Sequence, residues 1–77
     1  MNVKTNIETI RIRLNQEIQL SGLNHSEIAR RVGISPTMLS QYKGTAKMPS
    51  LENFARICEV IGCDANYVLG LTDNITQ

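Results

Sequence analysis

An all-α fold is predicted, a small bundle of five short helices, and three observations carry the prediction. Apolar residues recur at spacings of three and four, no segment alternates with period two, and helix-starting residues follow glycine stops again and again. The chain has 77 residues, 42% of them hydrophobic, which is enough for one small core. One domain is expected over residues 1–77, ordered from about residue 5 to residue 72, with polar, mobile tails at 1–4 and 73–77.

The first helix is expected to start at Thr5-Asn6-Ile7-Glu8, which has the spacing of a capping box. Ile7, Ile10, Leu14 and Ile18 then form one narrow apolar stripe, with Arg11 and Arg13 off it, and Ser21-Gly22 ends the helix. An apolar residue followed by a capping residue recurs as Leu23-Asn24, Ile34-Ser35 and Cys63-Asp64, each with a second apolar residue four beyond the cap (Ile28, Leu39, Val68). Each set is a hydrophobic staple around an N-cap and predicts a helix start. The second helix accordingly runs from about His25 to Val32 and stops at Gly33. The third runs from Pro36, a residue suited to the first helical position because it has no amide to satisfy, to about Lys43, with Gly44 as its stop. Ser50 after Pro49 starts the fourth, Leu51 to Ile61. Its residues Leu51, Phe54, Ala55, Ile57, Cys58 and Ile61 share one arc, and Glu52, Arg56 and Glu59 lie opposite as a solvated face. A fifth, from Ala65 to about Leu69, closes the domain before Gly70.

Composition removes several functional classes. A domain this small buries only about 60–65% of the surface of its unfolded chain, which leaves little interior for a catalytic pocket, so no enzyme is expected. Zinc sites normally take four ligands, and Cys58, Cys63 and the single His25 include no second Cys or His pair to complete one; no metal and no cofactor are expected. Both cysteines read as reduced core residues. A cysteine nucleophile would need His25 as its base, from a separate helical segment and with no oxyanion site in view. Unbroken apolar runs of two or three residues cannot span a bilayer, and no signal peptide is visible, so a cytoplasmic location is expected. Charge is polarised along the chain. Residues 1–50 hold seven basic and three acidic side chains, +4, and residues 51–77 hold one and four, −3, within a net charge of +1. Such polarity can turn one face toward a polyanion.

The informative stretch is Asn24 to Tyr42. Two short helices are joined by about three residues containing glycine, with small Ala29 at the crossing and Ile28, Val32, Ile34 and Leu39 able to pack together. With Thr37 set at zero on the third helix, Ser40 lies at about −60° and Gln41 at about +40°, and Leu39 and Tyr42 lie at about 200° and 140°. The outward face is polar, short and uncharged. Such side chains can reach base edges, Gln pairing with both groups of adenine and Ser or Thr donating, accepting or touching a thymine methyl. On composition alone Thr37, Ser40 and Gln41 read sooner as an ordinary wetted face.

From about Leu14 to Asn74 the sequence resembles the Cro/C1-type helix-turn-helix domains of phage repressors and bacterial regulators of the xenobiotic-response-element class. The matching pieces are Gly22-Leu23-Asn24-His25-Ser26-Glu27-Ile28-Ala29, Val32-Gly33-Ile34-Ser35, Leu39-Ser40-Gln41-Tyr42, Pro49-Ser50-Leu51 and Tyr67-Val68-Leu69-Gly70-Leu71. The resemblance implies a compact five-helix, lambda-repressor-like bundle that binds double-stranded operator DNA, usually as a homodimer. Ser35, Pro36, Thr37, Ser40 and Gln41 match the positions from which the family reads the major groove. Pro36 departs from the usual pattern and offers only an apolar ring, so direct readout rests more on Thr37 and Gln41. Asn24 and His25 open the second helix where the family meets phosphate; for His25 a plain exposed first-turn residue is the other reading. Lys43, Thr45 and Lys47 fall in the segment that grips the sugar-phosphate strand, flanked by Arg11 and Arg13. Arg30 and Arg31 have a weaker claim, because only part of the second helix faces the backbone. Tyr42 matches a packing position.

The leading expectation is therefore a sequence-specific transcriptional regulator, repressor-like, with its third helix in the major groove of a palindromic operator. Val60, Val68 and Leu71 are candidates for the dimer surface if the core does not absorb them. The alternative is an antitoxin or anti-regulator that acts mainly through protein contacts, with an antirepressor or toxin as partner.

Overall fold

A computed structural model of the chain describes residues 6–44 and 47–73. Five helices follow in order: α1 (Ile7–Leu20), α2 (His25–Val32), α3 (Pro36–Gly44), α4 (Leu51–Ile61) and α5 (Ala65–Leu69). Among the described residues there is no strand, so the predicted all-α class holds.

The helix starts are set by the side chains that the sequence marked. Asn24 Oδ1 accepts from the Glu27 amide at 2.8 Å, Ser35 Oγ from the Met38 amide at 3.0 Å, Ser50 Oγ from the Asn53 amide at 3.1 Å and Asp64 Oδ1 from the Asn66 amide at 2.9 Å. Each satisfies an amide that the first turn leaves without a helical partner. The start of α1 corrects the capping-box expectation. Asn6 is the cap, accepting from the Thr9 amide at 2.8 Å, and Thr5 lies outside the described residues.

Two of the helix ends share one construction. At the end of α2 the amides of Gly33 and Ile34 both donate to the Ala29 carbonyl, at 2.9 and 3.0 Å; at the end of α4 those of Gly62 and Cys63 both donate to the Cys58 carbonyl, at 2.8 and 3.2 Å. Gly33 has φ 89° and Gly62 φ 72°, the left-handed region that ends a helix in this way. Crowding does not dictate the glycine at position 33, since an added Cβ would meet nothing nearer than Arg56 Nη1 at 4.0 Å; the backbone angle does. Gly44 behaves differently from expectation. It is the last residue of α3 and is absent from the positive-φ glycines, so Gly44 itself is not a left-handed stop.

The core draws on every helix. Leu14 and Ile18 come from α1, Ile28, Ala29 and Val32 from α2, Leu39 and Tyr42 from α3, Phe54, Ile57 and Cys58 from α4, and Val68 from α5. α2 packs against α3 and α4, and α1 against α5 and α3. Three apolar expectations change here. Leu51 and Ala55 share the predicted arc of α4 yet are exposed, because α4 meets the core through Phe54, Ile57 and Cys58, with Val60 and Ile61 packed at its far end. Ile7 begins the stripe of α1 but overhangs its first turn and is exposed. Of the candidates for a dimer surface, Val68 is fully buried and Val60 packs on the core, which leaves Leu71 on the outside.

Candidate nucleic-acid interface

Ser35, Pro36, Thr37, Ser40 and Gln41 are all exposed, and they lie on one side of α3. The opposite side is anchored: Leu39 is fully buried, and Tyr42 is buried with its hydroxyl accepting from Asn53 Nδ2 at 3.1 Å. A helix held through one face in this way presents the other as a rigid ridge. Its members have different freedom. Ser35 uses its hydroxyl oxygen as the cap of α3, and Pro36 supplies an apolar ring at the first helical position.

His25 does something that neither of its sequence readings anticipated. From the first residue of α2 its Nε2 reaches the Pro36 carbonyl at 2.8 Å and the Ser40 hydroxyl at 3.2 Å. A carbonyl can only accept, so Nε2 carries the hydrogen, and the serine oxygen takes a longer share of it. One ring thereby ties the start of α2 to both ends of the first turn of α3. Ser40 is braced by this contact, which also links the two helices outside the core.

Behind His25 is an open recess of about 500 Å³ lined by Asn15, Gln19, His25 and Lys43 among others. Asn15 donates from Nδ2 to the Lys43 carbonyl at 2.6 Å, which joins α1 to the end of α3. Asn15 and Gln19 were not singled out from sequence, although Arg11, Asn15 and Gln19 stand four apart and so share a face of α1. The recess borders the N-terminus of α2, where backbone amides and the positive end of the helix dipole favour an anion, and Lys43 adds a cationic side chain. Asn24 is exposed at the same end, and Lys47 is exposed beyond α3. Thr45 lies outside the described residues.

Arg11 and Arg13, paired in the sequence reading, are separated by the fold. Two residues turn a helix by about 200°, so the two side chains leave α1 on opposite sides. Arg11 stays on the Asn15 face, 3.8 Å from Glu8, with its Nε buried and without a hydrogen-bond partner. Arg13 points to the chain's own C-terminal segment instead of flanking the basic residues of α3. Its Nη1 donates to the carbonyls of Tyr67 and Thr72 at 2.7 and 3.1 Å, its Nη2 pairs with Asp73 at 3.0 Å, and its guanidinium lies 4.2 Å from the centre of the Tyr67 ring. These contacts occupy the donors a phosphate would need. On α2, Glu27 takes both Arg30 and Arg31 at 2.6 Å, and these arginines hold its carboxyl below the usual carboxylate range, Arg30 first.

Among the described residues no group of three or more His, Cys, Asp or Glu side chains could hold a metal ion. No described helix is long and apolar enough to cross a membrane. No curated protein and no solved structure matches the chain. The family model described as helix-turn-helix, however, matches residues 14–68, from the middle of α1 through Val68 of α5. The matched span contains the anchored ridge, the left-handed glycine and the tight α2–α3 crossing, and the chain belongs to the Cro/C1-type helix-turn-helix family of DNA-binding regulators.

Proposed function

We propose that this chain is a sequence-specific transcriptional regulator of repressor type, which lays α3 in the major groove of a palindromic operator as a homodimer. The observation that carries the reading is the exposed, uncharged ridge of α3 with the N-terminus of α2 tied to it through His25. Uncharged hydrogen-bonding side chains discriminate base edges, and helix N-termini hold the flanking phosphates. In this reading Thr37 and Gln41 carry direct readout, Ser40 contributes from its braced position, and Ser35 and Pro36 make the closest approach at the start of the helix. Asn24 and Lys43 hold phosphate around the recess, with Thr45, Lys47 and Arg11 alongside, and His25, whose Nε2 hydrogen is taken by the Pro36 carbonyl, positions Ser40. Arg13 is left out of the contact set because its donors are engaged within the chain. A protein of this kind works in the cytoplasm, where its DNA is.

Selection of bound fragments from a random duplex pool tests the reading. A shared sequence with twofold symmetry and half-sites about 34 Å apart is the expected result. An enriched pool with no common sequence would overturn it, and stoichiometric capture of a protein with no DNA retained at low salt would favour the interaction-module alternative.

Lys43→Ala is expected to weaken operator and unrelated duplex by the same factor and to lower the slope of log affinity against log salt by about one. The Asn15 bond goes to the Lys43 backbone and survives the truncation, so a loss confined to the operator would count against a phosphate role. For the dimer, Leu71 is the apolar side chain left outside near the end of α5, and sedimentation should show self-association that Leu71→Asp removes. A monomer at all concentrations, with and without operator, would remove the twofold part of the proposal.

A further inference from the structure

The α4–α5 corner repeats the construction of the α2–α3 turn with two cysteines in the contact positions. In each, a left-handed glycine is followed by a side chain that returns over the helix end and by a capping residue: Gly33-Ile34-Ser35 and Gly62-Cys63-Asp64. This motif brings the residue after the glycine against the residue five before it, which is Ala29 with Ile34 in one turn and Cys58 with Cys63 in the other. Both cysteines are free; Cys58 is buried and Cys63 half-buried. Neither is used by the ridge of α3 or by the phosphate recess.

We infer that Cys58 and Cys63 are a reversible dithiol–disulfide pair, a modification site built into the end of α4. The amides of Gly62 and Cys63, both bonded to the Cys58 carbonyl, hold the two residues at fixed separation before any bond forms. The two sulfurs have distinct tasks. The Cys63 neighbour, and then burial, push the Cys58 thiol up, whereas the Cys58 neighbour holds Cys63 below its ordinary value. Cys63, the more accessible sulfur, is thus the one that attacks first. The acidic neighbours Glu17 and Asp64 favour an uncharged small organic disulfide as oxidant over an anionic one. In the first step the Cys63 thiolate attacks one sulfur of that disulfide, its S–S bond breaks, and one thiolate leaves. In the second the Cys58 sulfur attacks Cys63 and gives up its proton, and the second thiol departs. Two protein thiols are oxidised to one disulfide, and one external disulfide is reduced to two thiols.

Equilibrating the intact chain in graded mixtures of reduced and oxidised dithiothreitol tests this, with thiol counting and intact mass as readouts. The folded chain should lose both thiols, form a monomeric product lighter by two hydrogens, and reach half-oxidation at a ratio of oxidised to reduced reagent at least about tenfold lower than in concentrated urea. Return of both thiols on adding excess reduced reagent completes the expected result. A second variant reports the order of attack. Cys58→Ala places at the end of α4 the residue that α2 already carries in the equivalent position, and it should trap Cys63 as a mixed disulfide with the uncharged disulfide of 2-mercaptoethanol. Half-oxidation no easier in the folded chain than in urea would overturn the inference, as would linked dimers as the main product.

Discussion

Leu39→Ala is expected to lower the free energy of unfolding by about 2–5 kcal/mol, measured as a fall in the urea midpoint with unchanged slope. Leu39 is fully buried from the anchored side of α3 and lies among Ile28, Val32 and the other core residues, so its removal leaves a cavity that three helices must close on. A chain of 77 residues has a total stability of only about 4–12 kcal/mol, and the loss is a large share of it. The side chains of the ridge are untouched by the change. DNA affinity should therefore fall in proportion to the unfolded fraction and recover at lower temperature or on replacing Leu39 with Met, which refills most of the volume. A loss of stability under about 1 kcal/mol would mean that α3 is not held through this face.

Gln41→Ala is expected to cost about 1–3 kcal/mol on the selected operator and to relax preference at one base position in each half-site, with little effect on unrelated duplex. A contact to a base edge carries sequence information, so its removal shows as lost discrimination; a contact to phosphate does not. Measured beside Lys43→Ala, the two variants should separate cleanly, one narrowing the gap between operator and random sequence, the other lowering both. If Gln41→Ala leaves the base preference intact, α3 does not dock with this side toward the bases.

Much of the fold was legible residue by residue. The bounds of α2 and the start of α4 follow from Asn24, Gly33 and Ser50, and each acts through a hydrogen bond to a backbone group within a few residues. Such signals are local, so they can be read without knowing what lies across the core. Thr37, Ser40 and Gln41 could be assigned to the outward side of α3 for a similar reason, since helical rotation opposes them to Leu39 and Tyr42. Periodicity was less reliable at the ends of elements. Ile7 and Leu51 fit apolar stripes but extend past the neighbour that would cover them, and a stripe carries no record of where its partner helix stops.

The candidate interface was legible in its outline and not in its wiring. His25 was read as a phosphate contact or an exposed residue, and its bonds to Pro36 and Ser40 span eleven and fifteen residues. Arg11 and Arg13 look alike in sequence, and only the placement of α5 shows that Arg13 has Tyr67 and Thr72 to bind, at separations of 54 and 59 residues. Asn15 gained its role the same way, from the approach of Lys43. Helix bounds, caps and the facing of α3 were determined by the sequence itself, because short-range hydrogen bonding and a fixed turn per residue decide them. Which polar side chains stay turned outward and which are spent on the molecule's own backbone was decided by tertiary packing, because that depends on carbonyls brought near from distant parts of the chain.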